Sequence, residues 1–176
     1  KARAKRKFTV LVTENFPNDI EHSRSFAKKL AEHKIDTVLI PDSAIFAVMS
    51  RVGKVIVGAN AVFANGGCKT QAGVGSVVEC AQERKTPVFA VTGLYKLSPL
   101  YPIDREELVE VGNSAKVLDY SDFDVTYNVE GITNTFDDYV TPELIDIYLT
   151  NVGCFAQWYK YRIVVDNYKT EDNNMD

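Results

Sequence analysis

The sequence has no long apolar segment. Of its 176 residues 45% are hydrophobic, but Lys, Asp, Asn or Gly interrupts every apolar stretch. A transmembrane helix needs roughly 18 consecutive apolar residues, so no membrane span is expected. The N-terminus is basic, but no unbroken apolar region with a small-residue cleavage site follows it, so no secretory signal is expected either. We therefore expect a cytosolic protein without a membrane partner.

Residues that commonly bind metals are also scarce. The chain has only two histidines and three cysteines, Cys68, Cys80 and Cys154, which form no Cys-x-x-Cys pair. Structural zinc sites use closely spaced Cys and His pairs, so we expect no metal site. We expect no cofactor either. An odd number of cysteines without a regular spacing favours buried thiols in a reducing compartment over a disulfide framework.

Positive charge is concentrated at one end of the chain. Five of the residues from Lys1 to Lys7 are Lys or Arg, and the remainder has 15 basic against 24 acidic residues, a net charge of −9. An acidic body binds nucleic acid poorly, because phosphate neutralisation requires a basic surface. We expect no nucleic-acid partner and interpret residues 1–7 as the stub of a linker or helix. An RNA contact or a nuclear signal is the alternative.

The size and composition indicate one folded domain. Nineteen aromatic residues and many β-branched residues exclude intrinsic disorder. A chain of this size buries roughly 70% of the surface that it exposes when unfolded, which is enough for one core. We place this domain at residues 8–168 and an acidic tail at residues 169–176.

Short apolar segments alternate with segments of helical periodicity. The expected strands are 8–12, 37–40, 54–58, 87–92 and 144–149, and the expected helices are 20–33, 44–50, 71–84 and 155–168. Residues 61–64 are predicted to be extended, and residues 120–139 to cross the surface. Apolar strands between amphipathic helices are typical of a parallel sheet buried on both faces, with right-handed crossovers. The sequence predicts a single α/β domain with a Rossmann-like, doubly wound, mainly parallel sheet and helices on both faces.

The carboxyl ends of the strands are the expected place for a ligand. Glu14, Asp42 and Asn60 follow predicted strands, and the two carboxylates are candidates for an acid–base pair. Glycines between Gly66 and Gly75 precede a predicted helix, where free amides attract anions. The segment matches neither a Walker loop nor Gly-x-Gly-x-x-Gly, and close backbone packing explains the glycines equally well.

Several segments, in a fixed order, resemble a known family. They are Glu14–Pro17, Ile40–Ile45, Val55–Ala59, Asn65–Gly67 and Pro87–Val91, followed by Tyr95-Lys96. Together they resemble the C-terminal domain of the translation initiation factor 2B regulatory subunits, which share a family with methylthioribose-1-phosphate and ribose-1,5-bisphosphate isomerases. Four further segments look most like the beta members of that family: Gly93–Pro102, Asn151–Gly153, Tyr161-Arg162 and Asp166–Lys169. The resemblance implies that residues 1–7 are the stub of a helical N-terminal domain.

Departures from the isomerase pattern imply that the chain is not an enzyme. Asn60 stands where the resemblance places a catalytic aspartate, and an amide does not shuttle protons as a carboxylate does. Thr70 and Gln71 stand where the isomerases have a substrate-binding Asn and Lys, and Phe16 replaces an arginine that would clamp phosphate. The catalytic cysteine of the isomerases would lie before Lys1. The resemblance therefore implies no catalytic residues and a vestigial ligand pocket formed by Glu14, Asp42, Asn60, Asn65, Gly66, Thr70 and Gln71.

The resemblance implies a non-catalytic regulatory subunit of the guanine-nucleotide exchange factor for initiation factor 2. Its expected partners are the delta subunit as the direct pair, the gamma, epsilon and alpha subunits, and initiation factor 2 with its phosphorylated alpha subunit. Aromatic and leucine side chains in irregular segments are candidates for the partner interface, because such residues concentrate binding energy. They are Tyr95, Leu97, Leu100, Tyr101, Trp158, Tyr159 and Tyr161. Filling the core is the alternative for each of them, and a sugar-phosphate or nucleotide binder or isomerase is the alternative function.

Overall fold

A computed structural model describes residues 6–102, 110–121 and 129–156 of the chain. The helices are α1 (Ile20–Glu32), α2 (Ile45–Met49) and α3 (Val74–Glu83). The strands are β1 (Thr9–Thr13), β2 (Asp36–Ile40), β3 (Val55–Gly58), β4 (Ala61–Val62), β5 (Cys68–Gln71), β6 (Val88–Val91), β7 (Asp137–Val140), β8 (Ile147–Thr150) and β9 (Gly153–Ala156). No helix within these ranges is long and apolar enough to cross a membrane.

Parallel pairing dominates, as the sequence predicts for an α/β fold. Strands β3, β6 and β8 are parallel neighbours, and β9 pairs antiparallel with β8 at the edge. Strands β1 and β2 pair parallel in a separate two-stranded sheet. The parallel strands are therefore divided between two sheets where the sequence pattern suggests one.

The core lies on one face of the four-stranded sheet. Val55 and Val57 of β3 and Val88 and Ala90 of β6 alternate with more exposed neighbours and are at most 6% exposed. Val78 and Ala81 of α3 and Ile45 and Met49 of α2 belong to the same buried cluster. Residues three or four positions apart share one side of a helix, so α3 and α2 each present an apolar side to this cluster.

An antiparallel sheet of β4, β5 and β7 is absent from the sequence-based prediction. Residues 120–139 were expected to cross the surface, but Asp137–Val140 pair with β5. The predicted helix at 71–84 begins only at Val74, because Gln71 ends a strand and Gly73 has a positive φ of 91°. The predictions of a surface crossing at 137–139 and of a helix at 71–73 are therefore wrong. Strands β5 and β7 mix polar and apolar residues and lack the β-branched pattern by which the other strands were predicted.

The predicted terminal helix also needs a correction. Phe155 and Ala156 lie in β9, not in a helix. Gly153, which begins this strand, has a φ of 151° at the β8–β9 turn, and the strand then pairs with Ile147–Thr150. The rest of the predicted helix, residues 157–168, lies outside the described residues.

Candidate functional site

A cluster of polar side chains lies where β3, β5 and β7 come together. We call Asp19, Asn60, Lys69, Gln71 and Asp137 the polar cluster. The Asn60 side-chain amide donates to Asp137 Oδ1 at 3.3 Å, and the Gln71 amide donates to Asp19 Oδ2 at 3.1 Å. Gln71 and Asp137 are direct partners in the β5–β7 pairing. Two predicted pocket residues, Asn60 and Gln71, thus lie in this cluster, and each donates to a carboxylate of the chain.

The positive charge of the polar cluster is balanced within the chain. Lys69 Nζ lies 3.0 Å from Asp137 Oδ2 and 3.3 Å from Glu110 Oε2. The hydrogen bond to Asp137 is the main cause that raises the pKa of Lys69, against the opposing effect of burial. Asp137 is itself only 8% exposed. The lysine is therefore held in an ion pair and does not present an uncompensated charge to a phosphate.

Asp42 supports the loop after β1. Its carboxylate oxygens accept hydrogen bonds from the backbone amides of Asn15, at 3.2 Å, and Phe16, at 3.0 Å. The backbone amide of Glu14 donates to Ile40 O at 3.0 Å. The structure thus places Asp42 beside the loop that follows Glu14, with its carboxylate bound to that loop's backbone.

The turn at Asn65 and Gly66 is bound by two tyrosines. The Asn65 amide donates to the Tyr139 hydroxyl at 2.6 Å, and Asn65 Oδ1 accepts from the Gly67 amide at 2.8 Å. The Tyr148 hydroxyl donates to Gly66 O at 2.7 Å. Tyr148 is 3% exposed, and this burial raises the pKa of its hydroxyl far above the ordinary value. These contacts give Asn65 and Gly66 a structural role in the turn.

A carboxylate of the chain occupies the amino end of α3. Asp138 Oδ2 accepts hydrogen bonds from the Gly73 and Gly75 amides, each at 2.8 Å. The neighbouring Thr70 is fully buried, and its hydroxyl donates to Asp138 O at 3.3 Å. Free amides at a helix start bind anions. Here the anion is Asp138, so this end of the helix already has an acceptor.

The predicted pocket residues therefore fall into four places. Asn60 and Gln71 lie in the polar cluster, Asn65 and Gly66 in the tyrosine-bound turn, Thr70 in the interior, and Glu14 and Asp42 at the β1 loop. Sequence reasoning missed Asp137, Asp138 and Tyr139, because residues 120–139 were interpreted as a surface crossing. Asp-Asp-Tyr-Val does not alternate between polar and apolar residues, so the sequence offers no local signal for a strand there. Within residues 6–102, 110–121 and 129–156, no group of three His, Cys, Asp or Glu side chains is placed to hold a metal.

Three exposed side chains, two of them aromatic, follow β6 in the sequence. Tyr95 is 83% exposed, Tyr101 69% and Leu100 41%; we call these three residues the aromatic surface. Leu97 instead packs against the hydrophobic core. The other interface candidates, Trp158, Tyr159 and Tyr161, lie outside the described residues.

Sequence comparison identifies relatives across nearly the whole chain. The model of the initiation factor 2 subunit family matches residues 1–157. Translation initiation factor eIF2B subunit beta of Schizosaccharomyces pombe is 43% identical over 171 residues, and that of Dictyostelium discoideum is 39% identical over 171 residues. Each match covers 97% of this chain and 43% of the relative. The chain thus spans less than half the length of these relatives.

Solved structures with the same fold include proteins of two kinds. The crystal structure of eIF2B beta from Chaetomium thermophilum has a TM-score of 0.72 at 32% identity, over 99% of this chain and 45% of that one. The tetrameric eIF2B-beta2-delta2 complex from the same organism has a TM-score of 0.69 at 30% identity, over 95% of this chain and 48% of that one. The 5-methylthioribose 1-phosphate isomerase from Pyrococcus horikoshii OT3 has a TM-score of 0.76 at 22% identity, over 90% of this chain and 44% of that one. At this identity the similarity shows the fold alone. These similarities confirm the predicted fold class.

Proposed function

Because the chain belongs to the initiation factor 2 subunit family, we propose that it is a Rossmann-like domain of a beta-type regulatory subunit of the guanine-nucleotide exchange factor for initiation factor 2. The domain serves subunit assembly and the response to phosphorylated initiation factor 2 in the cytosol, and it does not catalyse a reaction. The 43% identity to a relative named eIF2B subunit beta supports this assignment.

The polar groups of the site are already paired with one another. This pairing is the observation that supports a domain without catalytic activity. A sugar-phosphate isomerase needs a group that moves a proton and free donors for a phosphate. Here Asn60 donates to Asp137, Lys69 is paired with Asp137 and Glu110, and the α3 amides donate to Asp138. A ligand would have to break these contacts before it gained any of its own.

The aromatic surface is proposed as the contact with the delta subunit. Tyr95 and Tyr101 expose most of their area although aromatic side chains gain free energy from burial. Exposed tyrosines of this kind are frequent centres of binding energy in interfaces. The tetrameric beta2-delta2 complex among the structural relatives supports a delta-type partner. The gamma, epsilon and alpha subunits and the phosphorylated alpha subunit of initiation factor 2 are the further proposed partners.

Sedimentation of the chain, alone and mixed with the C-terminal domain of the delta subunit, tests this function. We expect a one-to-one complex, and Tyr101→Ala is expected to weaken it by about tenfold or more, the effect of losing roughly 1.4 kcal/mol of binding energy. The melting temperature should change little, because Tyr101 is largely exposed. Tyr120→Ala, at a tyrosine that is 63% exposed outside the aromatic surface, is the matched control.

Two results would contradict the proposal. The first is the absence of a complex when the chain and the delta domain are mixed far above micromolar concentration, which would remove the partner assignment. Calorimetry with methylthioribose-1-phosphate or a ribose bisphosphate is the second test. Micromolar binding accompanied by turnover would replace the regulatory function with an isomerase, whereas we expect neither heat of binding nor product.

A further inference from the structure

The turn between β4 and β5 contains the dipeptide Asn65-Gly66, which is chemically reactive. The backbone nitrogen that follows an asparagine can attack the side-chain amide of that asparagine. Glycine hinders this attack least, because it has no β-carbon. The sequence has one Asn-Gly pair, and it lies in a turn whose hydrogen bonds involve every group that takes part in the reaction.

The reaction is deamidation, and water is its co-reactant. The Gly66 nitrogen loses its proton and attacks Asn65 Cγ, so that an N–Cγ bond forms, the Cγ–Nδ2 bond breaks and ammonia leaves with that proton. Water then opens the cyclic imide. Cleavage of the N–Cγ bond gives an aspartate, whereas cleavage at the main-chain carbonyl carbon gives an isoaspartate, in which the backbone runs through Cγ. Either product has exchanged one amino group for one hydroxyl group.

The closed turn holds the attacking nitrogen in a hydrogen bond. The Gly66 N–H donates to Phe63 O at 2.8 Å, and the Phe63 N–H donates to Gly67 O at 2.9 Å. Gly66 is buried, and its carbonyl accepts from the Tyr148 hydroxyl at 2.7 Å. Removing the proton from a buried, bonded N–H also forfeits the hydrogen bond that this proton makes. The Gly66 nitrogen is therefore a poor nucleophile while the turn is closed.

The Asn65 side chain is held at both of its polar atoms. Oδ1 accepts from the Gly67 N–H at 2.8 Å, and Nδ2 donates to the Tyr139 hydroxyl at 2.6 Å. The bond to Oδ1 draws electrons from Cγ and by itself favours attack. Closing the imide ring, however, moves the amide and releases Nδ2, so it breaks the contact with Tyr139. The closed turn thus presents an activated amide carbon together with a blocked nucleophile.

We propose that Asn65 is a deamidation site that reacts only when this turn opens. Opening means that the Gly66 N–H leaves Phe63 O and that Asn65 leaves Tyr139. Tyr139 belongs to β7 and Tyr148 to β8, so residues from two separate sheets hold the turn closed. Local opening of this kind is a normal property of folded chains. The rate of deamidation therefore reports how often the turn separates from these two strands.

The isoaspartate product does not fit the closed turn. It adds a methylene group to the main chain, inside the loop that the hydrogen bond between Phe63 and Gly67 closes. A β-carbon at Gly67 would already overlap the Tyr139 ring, so the turn has no space for the longer backbone. The next strand, β5, carries Lys69 and Gln71 of the polar cluster. Deamidation to isoaspartate therefore keeps the turn open and loosens the strand that supplies the site.

Mass spectrometry of the chain during incubation at mildly alkaline pH tests the proposal, with a synthetic peptide of residues 61–69 as the unfolded reference. We expect deamidation to be about tenfold or more slower in the chain than in the peptide, because only the open fraction reacts. Tyr139→Phe and Tyr148→Phe each remove one hydrogen bond of the turn and should raise the rate in the chain by about fivefold. Tyr120→Phe is the matched control, since the Tyr120 hydroxyl bonds to Ser114 Oγ at 2.7 Å, outside this turn, and its loss should leave the rate unchanged.

The comparison between the parent chain and the peptide needs no variant, so the test holds even if a tyrosine variant fails to fold. Equal rates in the chain and the peptide would overturn the proposal, and so would a peptide that does not deamidate. Rates for Tyr139→Phe and Tyr148→Phe that do not exceed the rate for Tyr120→Phe would show that the two strands do not hold the turn closed. A rate that rises only in proportion to the globally unfolded fraction, measured by urea unfolding of the same variants, would also overturn it.

Discussion

At the scale of the residue, the site is a set of polar groups that satisfy one another. The amino end of α3 is an example. Gly73 precedes the helix with a φ of 91° and has no side chain with which to cap it. Asp138, from β7, supplies the acceptor to the Gly73 and Gly75 amides instead. A carboxylate at this end of a helix is favoured by hydrogen bonding and by the helix dipole.

Removing this carboxylate should destabilise the fold. Asp138→Ala is expected to lower the free energy of unfolding by about 1–2 kcal/mol, since two amides of the helix start lose their acceptor. Asp138→Asn keeps an acceptor oxygen without the charge and should lose less. Urea unfolding measures both. Asp36→Ala, at an exposed position in β2, is the control, and equal losses at Asp36 and Asp138 would refute the capping role.

At the scale of the element, the sequence predicts the strands that are apolar and β-branched. Residues predicted to be strands at 8–12, 37–40, 54–58 and 87–92 appear as β1, β2, β3 and β6 within one residue at each end. Strands β5 and β7 were missed, because Cys-Lys-Thr-Gln and Asp-Asp-Tyr-Val contain too much polar surface to be distinguished from loops. What makes them strands is their pairing with each other across a long stretch of sequence.

The site, like the strands, could be predicted only in part from the sequence. Asn60 is predicted from its position after a strand and Gln71 from the resemblance to the isomerases, and both lie in the polar cluster. Their acceptors, Asp137 and Asp19, were not identified, because the contacts join residues 77 and 52 positions apart. No local pattern encodes a contact of that range. That Asn60 cannot transfer a proton as an aspartate does follows from its residue type alone. That its amide donates to Asp137 follows only from the folded structure.

The close contact between the Gly67 turn and β7 provides a test of this packing. A side chain at Gly67 would overlap the ring and hydroxyl of Tyr139. Gly67→Ala should therefore cost about 1–3 kcal/mol of stability through overpacking. In a Tyr139→Ala background the same change should cost much less, which a double-mutant cycle by urea unfolding measures.

Gly53→Ala is the control for this cycle, since nothing lies within 4 Å of a β-carbon built there. We expect Gly53→Ala to have the same small effect in both backgrounds. If Gly67→Ala costs the same with and without the Tyr139 ring, the contact between the turn and β7 is not what constrains this glycine.

At the scale of the whole molecule, the chain has the fold of an isomerase. The backbone agrees with the P. horikoshii isomerase at a TM-score of 0.76. Fold alone does not determine function, because function depends on the groups at the site. In this chain the polar groups at the strand ends bind one another, while Tyr95 and Tyr101 are exposed nearby in sequence after β6. That combination favours binding a protein over binding a small anion.

The same internal contacts make global stability sensitive to alkaline pH. Burial raises the pKa of Tyr148, and the hydrogen bond to Asp137 raises the pKa of Lys69. For a group whose pKa is raised by folding, the stabilisation is complete below the pKa of the unfolded chain and is lost as pH rises further. Both unfolded values lie near pH 10. The free energy of unfolding should therefore fall with rising pH above about 10.

Tyr148→Phe separates the two groups. It removes the hydrogen bond to Gly66 O, which costs about 1 kcal/mol near neutral pH. It also removes an ionisable group that the folded state keeps protonated, so the stability difference from the parent should shrink as pH rises above about 10. Lys69→Met should make the free energy of unfolding fall less steeply above about pH 10, because it removes the other group whose pKa is raised. Urea unfolding from pH 8 upward measures these curves, and parallel curves for the parent and Tyr148→Phe would show that Tyr148 does not link folding to proton release.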